Sequence, residues 1–155
     1  MARPFVKWAG GKTQLLKEYE AYIPSDVRVY HEPFLGGGAM FFNLCPPVAH
    51  LSDINGGLIN AYKIVRDNPT ELINRLTVHK LKHCSNYYLE QRALEAGDDV
   101  ERAARFIYLN KTCFNGLYRE NLKGKFNVPM GAYSNPIVCD VAAIVEASKA
   151  LQGIS

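Results

Sequence analysis

Cysteine is too sparse and too scattered in this sequence to organise a fold. Cys45, Cys84, Cys113 and Cys139 form no Cys-x-x-Cys pair and no zinc-type spacing. That excludes a disulfide framework or a structural zinc site and leaves reduced, mostly buried thiols as the expectation. Long apolar runs are missing too. No stretch approaches the roughly 20 residues of a membrane helix, and nothing of signal-peptide length follows Met1-Ala2-Arg3-Pro4, so the cytoplasm is the default compartment. Strong charge of one sign is also lacking: 18 Lys and Arg against 15 Asp and Glu give a net +3, which permits a polyanionic partner without demanding one. His79 and His83 stand four residues apart with neither an intervening glutamate nor a third ligand, so no metal is expected there. Low-complexity segments and internal repeats are absent. With 48% hydrophobic and 21% charged residues over 155 positions, the chain has the composition of a single folded domain.

What is present reads as α/β. Val27 to Phe34 has strand character, Gly36-Gly37-Gly38 is a turn, Ala39 to Leu44 is a short helix stopped by Pro46-Pro47, and Val48 to Ile54 is a second strand. That order over about 30 residues is the pattern of a βαβ unit with parallel strands, whose ligands bind at the strands' carboxyl ends. Beyond Asn55 the pattern turns helical. Leu58, Ile59, Tyr62 and Val65 recur at helical spacing, and Asn68-Pro69 with Glu71 has the form of a capping box opening a second helix. Asp98 or Asp99 caps another helix to about Asn110, and Asp140 caps a last one to about Leu151, which Gly153 ends. Between them, Cys113 to Asn135 is rich in Gly, Asn and aromatics, with turn signals at Asn115-Gly116 and Lys123-Gly124, and reads as a hairpin or ordered loop.

Three motifs carry chemistry. Gly11-Lys12-Thr13 matches the tail of a phosphate-binding loop, but the glycine that motif requires would fall at Val6, and no strand signal precedes it. Glu32-Pro33-Phe34-Leu35-Gly36-Gly37-Gly38 lies where the first strand meets its helix, and there glycine permits a sharp bend and a close backbone approach to a ligand. Position 41 is Phe41, so the third glycine of the dinucleotide fingerprint is missing. This weakens a nicotinamide-dehydrogenase reading and suits a cofactor without a pyrophosphate. Asp53 ends the second strand 17 residues after Gly36, near the spacing at which an acid accepts hydrogen bonds from a ribose diol. A lone Asp in that place is equally a turn former or helix cap.

Lys7-Trp8-Ala9-Gly10-Gly11-Lys12, Glu32 to Gly38, and Ser52-Asp53-Ile54-Asn55 together resemble, in order, the cofactor motifs of the Dam-type (alpha-class) DNA adenine methyltransferases. The resemblance implies a Rossmann-like S-adenosylmethionine-dependent methyltransferase fold with a partial sheet and a helical and hairpin DNA-recognition insertion. It implies that Trp8 and Lys12 line the cofactor site, that Phe34, Gly36 and Gly38 form its floor, and that Asp53 holds the ribose. Arg105 to Lys111, Phe114 to Arg119 and Phe126 to Pro129 are similar to the family's target-recognition region. Lys111, Phe114, Asn115, Leu117, Arg119, Asn127 and Pro129 are accordingly the expected DNA-binding residues. In chemical terms Arg119 suits a guanine edge, Lys111, Lys123 and Lys125 suit phosphates, and Phe114 with Asn115 suits the gap left by an extruded adenine. Residues 1–57 with 136–155 are expected to form a partial cofactor-binding subdomain, and 58–135 the recognition subdomain. The family's catalytic Asp-Pro-Pro-Tyr tetrapeptide does not occur here, the one Pro-Pro being Pro46-Pro47. The expectation is therefore a partial chain of a site-specific adenine methyltransferase, acting on double-stranded DNA, with no metal. A second chain supplying that motif (a split enzyme) and a non-catalytic DNA-binding remnant are the alternatives.

Overall fold

The computed structural model describes residues 2–95 and 97–155. Its sheet consists of two parallel strands, β1 (Val29–Glu32) and β2 (Val48–Leu51), paired from Val29↔Val48 to Glu32↔Leu51. Both are shorter than the sequence pattern suggests. Pro33 brings no N–H to the ladder, and beyond it only two bonds continue the pairing: Ser52 N–H to the Glu32 carbonyl at 2.9 Å and Leu35 N–H to the Ser52 carbonyl at 3.0 Å. After that the chain bends away through Gly36. On the other edge of β2, Ser155 donates to the Ala49 carbonyl (3.3 Å) and accepts from Leu51 N–H (2.8 Å), the alternation of a parallel bridge.

Short helices precede and follow β1. α1 (Leu16–Tyr19), flanked by 3-10 turns Lys12–Leu15 and Glu20–Tyr22, carries no sequence periodicity that would have announced it. α2 (Ala39–Leu44) is the expected crossover helix, and it stops at Cys45, whose φ is 43°. α3 (Gly56–Asp67) opens on the Asn55 side chain, which accepts from Leu58 N–H. α4 (Pro69–Lys82) begins with proline as expected, but its capping box does not form. Asn68 makes no side-chain cap, its backbone (φ −133°, ψ 47°) lying outside the extended region of a cap; its N–H already closes α3 on the Ile64 carbonyl, and Glu71 instead pairs with Arg75 at 2.9 Å.

α5 (Ser85–Ala93) buries only Tyr88, too little to register as an apolar stripe. Arg105 receives its end, donating to the carbonyls of Gln91 and Arg92. α6 (Asp99–Thr112) starts at Asp98, which accepts from Glu101 N–H, and α7 (Val141–Leu151) starts at Asp140, which accepts from Ala143 N–H. Between α6 and α7 no regular strands form among the described residues. Antiparallel bridges Cys113↔Met130 and Glu120↔Phe126 hold the segment as a hairpin-like loop. Its tip turns at Asn121–Gly124 (Gly124 N–H to the Asn121 carbonyl, 2.9 Å).

α6 packs on α3 and α4, and α7 packs on the same pair. One apolar cluster runs from Phe5 and Val6 through Leu35, Phe41 and Phe42 to Leu58, Leu72, Ile107, Ile144 and Leu151. The protein is thus a helix-rich α/β fold around a small parallel sheet. No described helix is long and apolar enough to cross a membrane. The cysteines correct one expectation: Cys45 and Cys84 are exposed, because both sit at helix ends. Cys84 caps α5 by accepting from Tyr87 N–H, and only Cys113 is fully buried.

The two histidines belong to an aromatic cluster under α4. His79 Nδ1 meets the Tyr87 hydroxyl at 2.8 Å and its ring stacks on Tyr108 at 4.8 Å, while His83 Nδ1 meets the Tyr108 hydroxyl at 2.9 Å. Burial pushes His79 down to about 4 from its ordinary 6.5. The unfolded chain therefore binds the extra proton first as pH falls. Stability from this group is complete above about pH 6.5 and is lost progressively down to about pH 4, by about 3 kcal/mol for a shift of this size. Urea unfolding at pH 7 and 4.5 should show a larger acid loss for the unaltered chain than for His79→Phe. Equal losses would mean that His79 titrates normally.

Candidate functional site

The pairing of β1 with β2 brings two loops together at their carboxyl ends. Asp53, just past β2, accepts from Gly36 N–H through Oδ2 and from Asn55 N–H through Oδ1, both at 2.9 Å. The glycine bend and the acid therefore meet directly. Gly36 and Gly38 have φ of 52° and 68°, and a Cβ would lie 2.7 Å from the Trp8 ring at Gly36 and 2.6 Å from the Tyr62 hydroxyl at Gly38. Backbone conformation and crowding both demand glycine there. Tyr62 in turn donates to the Gly36 carbonyl at 3.1 Å, locking the bend to α3. Burial first, then the negative charges of Glu32 and Asp53, push the Tyr62 hydroxyl well above its usual range, so it is a neutral donor.

The N-terminal motif closes the other side. Gly10 (φ 72°) makes a tight turn in which Gly11 N–H returns to the Trp8 carbonyl. The following Lys12 sends its ammonium to Glu32 Oε1 (3.0 Å) and the Phe34 carbonyl (3.3 Å). Trp8, Lys12, Phe34, Gly36, Gly38 and Asp53 all line one cavity of about 290 Å³. Phe34 stands at its rim, with 80% of its surface exposed. Glu32 is the functional candidate that the motif contained but residue type did not single out. Its side chain is 4% exposed, and its second oxygen, Oε2, is buried without a hydrogen-bond partner among the described residues.

The cavity wall continues into the hairpin. The Trp8 ring stacks on Phe106 (6.3 Å) and on Tyr118 (5.8 Å). Asn110, fully buried on α6, behaves like a strand partner for Lys7. Its Oδ1 accepts from Lys7 N–H at 2.8 Å, and its Nδ2 donates to the Lys7 carbonyl at 2.7 Å and the Gly116 carbonyl at 3.4 Å. An amide is needed because only it offers donor and acceptor side by side. Burial inside a helix hid this role from the sequence pattern.

The expected DNA-binding residues lie along the hairpin and its base. Asn115 (φ 54°) and Gly116 (φ 62°) form a left-handed turn packed against the Lys7 side chain, leaving Phe114 half-exposed and Leu117 38% exposed. Arg119 and Asn127 face each other across the loop, with Nε donating to Asn127 Oδ1 at 2.9 Å. The contact uses Nε, so the guanidinium is oriented without engaging its terminal amino groups. Pro129 is exposed and its carbonyl accepts from Phe114 N–H. Lys111 sits apart, half-buried in the last turn of α6, and burial with repulsion from Lys7 lowers its pKa. Lys125 pairs with Glu95 at 3.3 Å.

Over residues 8–153 the chain matches the D12 class N6 adenine-specific DNA methyltransferase family, and it belongs to that family. It is 44% identical to the Type II methyltransferase M1.LlaDCHI of Lactococcus lactis subsp. cremoris, across 99% of this chain and 56% of that protein. It is 39% identical to the Type II methyltransferase M.MjaIII of Methanocaldococcus jannaschii, across 98% of this chain and 60% of that protein. To the DNA adenine methylase of Escherichia coli K12 it is 38% identical, across 86% of this chain and 49% of that protein. The chain spans about half the length of the curated relatives it matches.

Proposed function

We propose that this chain is the cofactor-binding and DNA-reading part of a site-specific adenine methyltransferase that uses S-adenosylmethionine. The observation that carries the reading is the direct Gly36–Asp53 contact in a cavity that also holds Trp8 and Lys12. A carboxylate, an ammonium and an indole around an open backbone bend match the diol, acidic tail and adenine of that molecule. When bound, S-adenosylmethionine supplies an electrophilic methyl group. Trp8, Phe34, Gly36 and Gly38 would enclose it, Asp53 would accept from its ribose, and Lys12 would meet its carboxylate. Residues 1–57 with 136–155 form the cofactor part, Rossmann-like in arrangement, and 58–135 the recognition part. The setting is cytoplasmic, of bacterial or phage type.

On double-stranded DNA the hairpin reads and positions. Arg119, pre-oriented by Asn127, takes a guanine edge, and Leu117 and Pro129 supply apolar contact. Asn115 with Phe114 supports the stack left open by a flipped adenine, and Lys111 meets a phosphate. Arg119→Ala is expected to relax sequence preference, costing about 1–3 kcal/mol on the preferred duplex and little on others. Competition binding across a set of duplexes measures this, and a uniform loss would make Arg119 a phosphate contact instead. Calorimetry tests the cofactor: S-adenosylmethionine should bind and NAD should not.

A further inference from the structure

We propose that Leu122, at the point of the hairpin, is a wedge residue that enters a base step of the bound duplex and unstacks it, within about three base pairs of the guanine that Arg119 takes. The inference rests on the reading of the hairpin as a DNA contact and adds to it a residue and a distortion of the DNA.

The tip is firmly built. Its stem is rooted in the core, where Phe126 and Val128 are buried and the Phe126 ring meets Tyr118 at 5.4 Å. Beyond the Glu120↔Phe126 bridge a single residue organises the turn. Asn121 Oδ1 accepts from the N–H groups of Lys123 (2.9 Å) and Lys125 (3.1 Å). Its backbone N–H donates to the Lys125 carbonyl and its own carbonyl accepts from Gly124 N–H, each at 2.9 Å. Gly124 takes the left-handed conformation, φ 68°, that the return of the chain requires. The turn thus explains Asn121 and Gly124. It asks for no apolar residue between them, yet Leu122 stands there as the most exposed large apolar side chain among the described residues.

A leucine alone on a surface needs no explanation. Here the surrounding charge indicates what it faces. Lys123 follows it directly, and the cavity of about 300 Å³ behind the tip is lined by five arginines and lysines against two glutamates. Such a recess draws a polyanion, and a DNA backbone drawn there brings its bases to the tip. In water Leu122 has nothing apolar to cover it. Between bases it is buried, and that burial offsets part of the stacking lost when a side chain is wedged into a step. The tip's rigidity matters because a loop that had to be ordered at the moment of insertion would consume the gain. From Arg119 to Leu122 is three residues, at most about 10 Å of extended chain. That length spans about three base pairs at roughly 3.4 Å each.

2-Aminopurine brightens when it loses its stacking neighbours and so reports a wedge directly. Duplexes of the sequence that the unaltered chain prefers would carry it at one position at a time, never at the target adenine. Binding should brighten a position within about three base pairs of the guanine. Leu122→Ala should abolish that rise and weaken binding, read by fluorescence anisotropy, roughly tenfold, while Leu122→Phe keeps both. Lys123→Ala should lower affinity and reduce the salt slope by about one but leave the rise intact. If no position brightens with the unaltered chain, or if the rise survives Leu122→Ala, the inference is overturned while the hairpin remains a DNA contact. A chain that binds no duplex at all sinks the DNA reading and the inference with it. Both substituted positions are exposed, and thermal unfolding verifies that each variant folds.

Discussion

Asp53→Ala should weaken S-adenosylmethionine binding by about 1–3 kcal/mol, the cost of losing a charged hydrogen-bond acceptor, and should also destabilise the fold. The second effect follows from geometry, since the carboxylate accepts from the backbone N–H groups of both Gly36 and Asn55. Removing it leaves two donors without their acceptor, at about 1 kcal/mol or more each where water cannot replace it. Asp53→Asn separates the roles. Its single amide oxygen can keep one backbone contact, so stability recovers in part while the ribose loses its anionic acceptor. Calorimetry reads the first quantity and urea unfolding the second. Unchanged affinity in Asp53→Ala would remove this residue from the cofactor site.

Asn110→Ala should be strongly destabilising, by about 3–5 kcal/mol. Three backbone groups lose their partner at once, Lys7 N–H, the Lys7 carbonyl and the Gly116 carbonyl. The consequences extend in both directions from the clamp. Lys7 precedes Trp8 in the cavity wall, and Gly116 lies in the turn beneath Phe114, so cofactor affinity and DNA affinity should fall together. For a chain of this size the loss corresponds to a drop of roughly 10 °C in melting temperature. A change below 1 kcal/mol would show that water or a relaxed backbone takes over these bonds and that Lys7 and the Gly116 turn are not joined through Asn110.

The physics behind these predictions was unequally legible in the sequence. Gly36, Gly38 and Asp53 could be placed together because a strand, bend, helix and strand leave few ways to arrange their ends. Even so, the glycines are required for a reason the sequence did not disclose: Trp8 and the Tyr62 hydroxyl crowd the positions a Cβ would take. Asp53 makes the turn that one of its two readings called for, accepting from Asn55 N–H, and it also lines the cavity. The capping box at Asn68 failed because the N–H that Glu71 would have to reach already closes α3, and because the backbone at Asn68 is not extended as a cap requires. α5 escaped notice because it buries a single tyrosine, and α1 because it buries nothing. Asn110 and Glu32 were invisible for a common reason. Their importance lies in what they touch across 103 and 20 residues of chain, respectively, and no local period records that.

Trp8 is the sole tryptophan of the chain, and it lines the cavity on which the account depends. Its fluorescence is therefore a direct reporter of what enters. Titration with S-adenosylmethionine should change the emission saturably, with the change weakened in Asp53→Ala and absent with NAD. If the emission is indifferent to S-adenosylmethionine while calorimetry also finds no binding, or if NAD produces the saturable change instead, the cavity formed by the glycine bend and Asp53 is not a methyl-donor site.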